Sequence, residues 1–210
     1  MTNPTREQLR KRLLNNKFIA IIRCTEQRQV ASIVANLAHA GVQALEITSN
    51  TPGWQQEIHN ARAAHPELLV GAGTVRTAAL AKEAASAGAQ FLVTPNTNKD
   101  VVDVAHSNNL PVLMGALTPT EVADAVDYGA DIVKLFPTEV FGIAYFQSLL
   151  GPFNDVAIMA VDNMSPERMT QWLKAGAAGV AVGNCLAYAC TNESELKQQQ
   201  KLAQDYLSRL

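Results

Sequence analysis

The sequence predicts an α/β domain built as a compact (β/α)8 TIM barrel with an N-terminal helix, a single domain over residues 1–210. Three observations predict it. Eight short, continuously apolar runs recur along the chain, the pattern of parallel strands buried on both faces. Helical stretches separate the runs, so the repeating unit is strand then helix. Several of those stretches close on glycine just before the next run, at Ala40-Gly41, Ala87-Gly88, Tyr128-Gly129 and Ala175-Gly176. Eight such units close into a barrel, and 210 residues suffice for one full core. An open doubly wound sheet is the alternative. It usually has fewer strands and a glycine fingerprint after the first, whereas Arg23 is followed here by Cys24-Thr25-Glu26.

Taken in order, Thr5 to Asn15 carries Leu9, Leu13 and Leu14 at amphipathic spacing, with Asn15-Asn16 as a helix stop. The predicted strands are Phe18 to Arg23, Ala44 to Thr48, Leu68 to Thr74, Phe91 to Pro95, Pro111 to Ala116, Ile132 to Pro137, Ala157 to Val161 and Gly179 to Gly183. Thr118-Pro119-Thr120-Glu121 and Ser165-Pro166-Glu167 each set a capping hydroxyl before a proline at the first helical position, a strong helix start.

Composition narrows the function. A net charge of −2 with scattered basic residues leaves no footprint for nucleic acid or an anionic membrane, so the expected ligand is a small molecule. The first twenty residues, from Met1-Thr2-Asn3-Pro4 through Arg10-Lys11-Arg12, lack the apolar core of a signal peptide, and no later run approaches a membrane span; a cytoplasmic protein is expected. The three cysteines, Cys24, Cys185 and Cys190, fit neither a disulfide framework nor a zinc site and read as plain thiols. No metal cluster and no cofactor motif is visible, and His39, His59, His65 and His106 fall on helices or helix ends, where surface positions are expected.

In a barrel, chemistry gathers at the C-terminal ends of the strands. Those ends supply Arg23, Glu46 with Thr48, Thr74, Pro95, Gly115, Lys134, Val161 with Asp162, and Gly183 with Asn184. Lys134 stands alone among apolar residues in Asp131-Ile132-Val133-Lys134-Leu135-Phe136-Pro137. A lysine held in such surroundings shifts its pKa down and presents a free amine, a nucleophile for carbonyls. Strand alternation sends Ile132, Lys134 and Phe136 to one face, and an inward Lys134 faces Glu46 and Thr74 across the barrel mouth. Glu46, the lone charge of Ala44-Leu45-Glu46-Ile47-Thr48, can then shuttle protons during carbinolamine formation, dehydration and C–C cleavage. The competing reading is that Glu46 and Lys134 merely neutralise each other. Arg23 can fork onto a substrate carboxylate, and the Thr74 hydroxyl is offered to the same group, although a structural ion pair and a simple turn threonine are the plainer readings.

Leu45-Glu46-Ile47-Thr48, Val70-Gly71-Ala72-Gly73-Thr74-Val75, Val93-Thr94-Pro95, Leu117-Thr118-Pro119-Thr120-Glu121 and Val133-Lys134-Leu135-Phe136-Pro137 resemble the successive strand-end motifs of the 2-keto-3-deoxy-6-phosphogluconate / 4-hydroxy-2-oxoglutarate aldolases. The likeness is collinear over essentially the whole chain. Ser49-Asn50-Thr51-Pro52-Gly53-Trp54, Thr94-Pro95-Asn96 and the stretch from Phe136-Pro137 to Phe141-Gly142 are most similar to the 2-keto-3-deoxy-6-phosphogalactonate branch. The resemblance implies a class I pyruvate aldolase, usually a homotrimer, acting on a 2-keto acid without a metal. It implies Lys134 as the Schiff-base lysine, Glu46 as general acid/base, and Arg23, Thr74 and Pro95 around the pyruvate, with Asn50 and Phe136 added to the substrate-binding set.

The family holds its substrate's distal phosphate on a Gly-Gly pair after the seventh strand and a Gly-Ser pair after the eighth. Here those places read Ala160-Val161-Asp162-Asn163-Met164 and Gly183-Asn184-Cys185, and Met114 precedes Gly115 where a proline is usual. A carboxylate about 4 Å from a phosphate costs roughly 1 kcal/mol per unit charge pair in water and more when partly buried. Asn163 and Asn184 can donate hydrogen bonds to hydroxyls. The plainer reading of Asp162 is that it caps the following helix and points aside. The expected activity is cleavage of a 2-keto-3-deoxy sugar acid to pyruvate and an aldehyde, with relaxed or lost selection for phosphate. A keto-acid-binding barrel without turnover is the alternative, and a phosphate-binding barrel isomerase is third, since it would need the glycines missing here.

Overall fold

The computed structural model describes residues 4–210, so the Met1-Thr2-Asn3 part of the leader reading lies outside the described residues. It is a closed barrel of eight strands in sequence order, each parallel to both neighbours and the last paired with the first. The helix α1 (Arg6–Asn16) comes first, opened by a capping box between Thr5 and Gln8 and ended at Lys17, whose φ of 57° is left-handed. The strands are β1 (Phe18–Ile22), β2 (Ala44–Thr48), β3 (Leu69–Gly73), β4 (Leu92–Val93), β5 (Val112–Ala116), β6 (Ile132–Leu135), β7 (Ile158–Asp162) and β8 (Gly179–Val182). Between and after them run α2 (Val30–His39), α3 (Trp54–Ala64), α4 (Ala78–Ser86), α5 (Lys99–Ser107), α6 (Pro119–Asp127), α7 (Gly142–Leu150), α8 (Pro166–Lys174) and α9 (Glu193–Leu207).

The expected caps are present: Thr118 accepts from Glu121 N–H with Pro119 at the helix start, and Ser165 accepts from Arg168 N–H ahead of Pro166. The four glycine stops all have positive φ, between 88° at Gly88 and 107° at Gly176. Five strands end one or two residues short of the apolar runs, β2 and β5 end with them, and β7 runs one residue further. Proline and a left-handed residue account for two of the early ends, since Pro95 cannot donate to the ladder and Thr74 turns the chain at φ +57°.

Two apolar layers follow from strand alternation. Ile19, Ala44, Leu69, Phe91, Leu113, Ile132 and Met159 fill the barrel, closed at the bottom by Leu9 and Leu13 of α1. The opposite strand faces, with Val70, Val112 and Val133, pack against the helices, where Phe146 and Trp172 meet at 5.4 Å between ring centroids. His106 is not a plain surface residue: its Nε2 lies 3.0 Å from the Asp131 carboxylate, which also accepts from Val112 N–H and ties α5 to the start of β6. His39 and His59 are exposed as expected.

Candidate active site

The inward positions change character toward the C-terminal ends of the strands. On β6, Ile132 points into the apolar interior and Lys134, two residues on, is the next inward side chain, level with Gly115 of β5 and Met159 of β7. On β2 the corresponding position is Glu46, level with Ile21 of β1 and Gly71 of β3. Glycine at two neighbouring positions makes the room. A Cβ on Gly73 would stand 1.6 Å from Glu46 Oε1, and one on Gly115 would stand 2.3 Å from the Pro95 carbonyl carbon, so these residues admit the carboxyl group and the incoming β4 loop.

Lys134 is 6 % exposed and Glu46 1 %. Burial pushes the Lys134 amine below its ordinary range; Glu46 opposes this and Arg23 adds to it. Burial pushes the Glu46 carboxyl up, against the smaller pull of Lys134 and Arg23. The two groups influence each other without direct contact, since among the described residues no carboxylate oxygen comes within 4.0 Å of Lys134 Nζ. Glu46 Oε2 is enclosed and has no hydrogen-bond partner. A buried structural ion pair joins its charges directly and satisfies the remaining lone pairs, and this arrangement does neither. The Phe136 ring lies 5.0 Å from Lys134 Nζ and shields it from one side.

Arg23 Nη2 donates to Thr74 Oγ1 over 3.4 Å, bringing the two expected carboxylate-binding groups together. Thr74 is a β-branched residue in the left-handed region, a strained conformation held by its surroundings. Ser49 Oγ grips the Thr74 carbonyl at 2.9 Å, and Val75 N–H returns to Val93 O, so the strain is locked on both sides.

Asp162 ends β7 half-buried and does not cap α8, whose cap is Ser165. It spans two loops instead, accepting from Asn163 N–H at 2.8 Å and from Glu139 N–H at 2.9 Å. Asn163 Oδ1 in turn accepts from Cys185 N–H at 3.3 Å, while Asn184 is exposed.

One cavity of about 140 Å³ gathers Arg23, Glu46, Thr74, Pro95, Lys134 and Phe136 with Asp162, Asn163 and Asn184, and Ile21 and Val161 form its apolar walls. Asn50 is the one expected site residue that does not line it. The turn after β2 is knitted by Thr48 and Thr51, whose hydroxyls meet at 3.2 Å, and this leaves Asn50 exposed. A larger groove of about 520 Å³ beside α3 and α4 is lined by Gln55, His59, Lys82 and Glu83 and offers no buried charged group. Sequence reasoning missed Ile21, Ser49 and the Glu139 N–H. Counting back two residues from Arg23 would have found Ile21, while the other two are loop contacts with no sequence signal.

The family described as KDPG and KHG aldolase matches residues 9–202. The chain belongs to the KDPG and KHG aldolase family. This aldolase is 34 % identical over 184 residues to the 2-dehydro-3-deoxy-6-phosphogalactonate aldolase of Escherichia coli K12, covering 87 % of this chain and 90 % of that one. It is 30 % identical over 170 residues to the 2-dehydro-3-deoxy-phosphogluconate aldolase of Haemophilus influenzae, covering 80 % of each. Among solved structures, one described as native KDPGal superposes with a TM-score of 0.84 at 32 % identity, over 91 % of this aldolase and 93 % of that chain. The barrel fold and the lyase class are thus shared with relatives that cover most of the chain.

Among the described residues of the aldolase, no helix is long and apolar enough to cross a membrane, and no group of three or more His, Cys, Asp or Glu is arranged to hold a metal ion.

Proposed function

We propose that Lys134 forms a Schiff base with the ketone of a 4-hydroxy-2-oxo acid and that the cavity cleaves it to pyruvate and an aldehyde. The single observation that carries this is a buried amine, lowered in pKa and free of any direct carboxylate contact, facing a buried carboxyl group with an unpartnered oxygen. Lys134 in its neutral form attacks C2, and the carbinolamine loses water to give an iminium ion. Glu46 takes the proton from the C4 hydroxyl as the C3–C4 bond breaks; the bonding electrons move into the iminium, leaving an enamine and releasing the aldehyde. C3 is then protonated, and water returns to C2 to free pyruvate and the lysine. Arg23 and Thr74 hold the C1 carboxylate, with Pro95 and Phe136 closing the sides.

Borohydride reduction in the presence of pyruvate tests the reading. A covalent pyruvyl mass addition that maps to Lys134 is expected; a protein that binds pyruvate yet stays unmodified would instead be the non-catalytic binder. A homotrimer is the assembly we propose, with exposed Val140 and Phe141 as apolar surface for a neighbouring copy. The cytoplasm is the proposed compartment, in keeping with free thiols at Cys24, Cys185 and Cys190.

A further inference from the structure

The ends of β7 and β8 form one rim of the cavity, beside the loop that follows β6, and backbone N–H groups in such loops are a usual means of gripping an anion. Here three N–H groups, two from the β7 and β8 ends and one from the loop after β6, are already engaged by side-chain oxygens of the rim itself. Asp162 takes the N–H of Asn163 with one oxygen and that of Glu139, from the loop after β6, with the other. Asn163 takes the N–H of Cys185, and its Oδ1 lies over Gly183, where an added Cβ would come within 3.1 Å of it. The chain thus carries its own anion, held from two loops at once. An entering phosphate would have to displace that carboxylate or sit against its charge.

The cations of the cavity do not change the balance. Among the residues lining it only Arg23 and Lys134 are basic, the first hydrogen-bonded to Thr74 and the second consumed by imine formation. Arg168, on the following helix, is turned to the Glu139 carboxylate. What the rim does offer is acceptor capacity on the Asp162 oxygens and the exposed amide of Asn184, both suited to hydroxyl groups.

We infer that the end of the substrate remote from the pyruvyl group is an uncharged, hydroxylated chain rather than a phosphate ester, held at Asp162 and Asn184. This rests on the aldolase reading above and goes against the phosphorylated substrates in the names of the relatives.

The test runs the full-length protein in the direction of synthesis, condensing pyruvate with either glyceraldehyde or glyceraldehyde 3-phosphate, and compares kcat/KM. Glyceraldehyde is expected to lead by on the order of ten- to a hundredfold, the scale of one uncompensated charge contact in a partly buried site. Asp162→Asn keeps the size and one acceptor but removes the charge, and should narrow the ratio at least about tenfold, chiefly by lowering KM for the ester. Asn163→Gly, which releases the Cys185 N–H, should move the ratio the same way and serves if the first variant is misfolded. Preference of the wild type for the ester, or ratios untouched by both variants, would overturn the inference. So would refusal of both aldehydes by a protein that still forms the borohydride adduct on Lys134. Absence of that adduct from the wild type removes the aldolase reading itself, and the two failures are told apart by this one control.

Discussion

The floor and the rim of the cavity treat their polar groups in opposite ways. At the floor, Lys134 and Glu46 are buried and stay apart, one carboxylate oxygen having no partner at all. At the rim, Asp162 and Asn163 are more accessible, and both spend their oxygens on backbone N–H groups of the surrounding loops. Leaving a buried polar group unsatisfied costs about 1–3 kcal/mol, so a fold keeps such a group where something else is to fill the gap. The floor keeps an acceptor unpartnered, while the rim is closed on itself. On the proposed function, the contrast separates the half of the site that would perform the chemistry from the half that would select what is cleaved off.

The largest test of the floor is the lysine. Lys134→Ala should lower pyruvate release from a cleavable 4-hydroxy-2-oxo acid by at least about 10⁴-fold, the scale of losing a covalent nucleophile. Substantial remaining turnover would make the lysine structural. The native lysine should also show its burial in a pH profile. Its pKa lies below 10.5, so the reactive neutral amine fills in as pH rises and the rate of adduct formation with pyruvate levels off before that value. An exposed lysine would keep gaining up to it.

Next in size is the partner carboxyl group. Glu46→Gln keeps the shape and removes the proton-transfer group, so kcat should fall by roughly 10²- to 10⁴-fold. KM should change little, and the adduct on Lys134 should still form, more slowly. Unchanged kcat would mean that Glu46 only balances the charge of Lys134. Gly73→Ala attacks the same residue indirectly, because the new Cβ would stand 1.6 Å from Glu46 Oε1 and force it aside. Overpacking of this kind costs about 1–3 kcal/mol of stability, and a displaced acid/base group should lose on the order of tenfold or more in kcat. Denaturant unfolding and steady-state rates measured together would check both.

The same contrast explains what could be read from the chain alone. Barrel, strand count, helix stops and the floor residues were legible because each rests on local rules: apolar runs of strand length, glycine after a helix, and a lone charge in an apolar strand. Lys134 and Glu46 announce themselves by being out of place. The rim follows no such rule. Asp162 beside a helix start looks like a cap, yet its oxygens go to Asn163 and to Glu139 in another loop, while Ser165 does the capping. Whether Asn50 faces the cavity was equally hidden, since it depends on the hydroxyl contact between Thr48 and Thr51. Long-range partners chosen by loop geometry leave no periodic trace in a sequence.

The smallest expected effect concerns Thr74, which sits between the two regimes: its side chain faces the site while its backbone is strained. A β-branched residue at φ +57° costs roughly 1–2 kcal/mol. Thr74→Gly removes that strain and returns about 0.5–1 kcal/mol to the unfolded state as chain entropy. The net gain should lie between about 0 and about 1.5 kcal/mol, a rise of a few degrees at most in Tm for a domain of this size. Losing the hydroxyl that accepts from Arg23 should at the same time raise KM for the pyruvyl substrate by about tenfold, as expected for a hydrogen bond to a carboxylate. A variant more stable and weaker in binding would show that the strain is retained to aim Oγ1 at the substrate. If stability fell instead, the left-handed turn would be held by packing that the threonine itself provides, and Thr74 would belong with the self-satisfied rim.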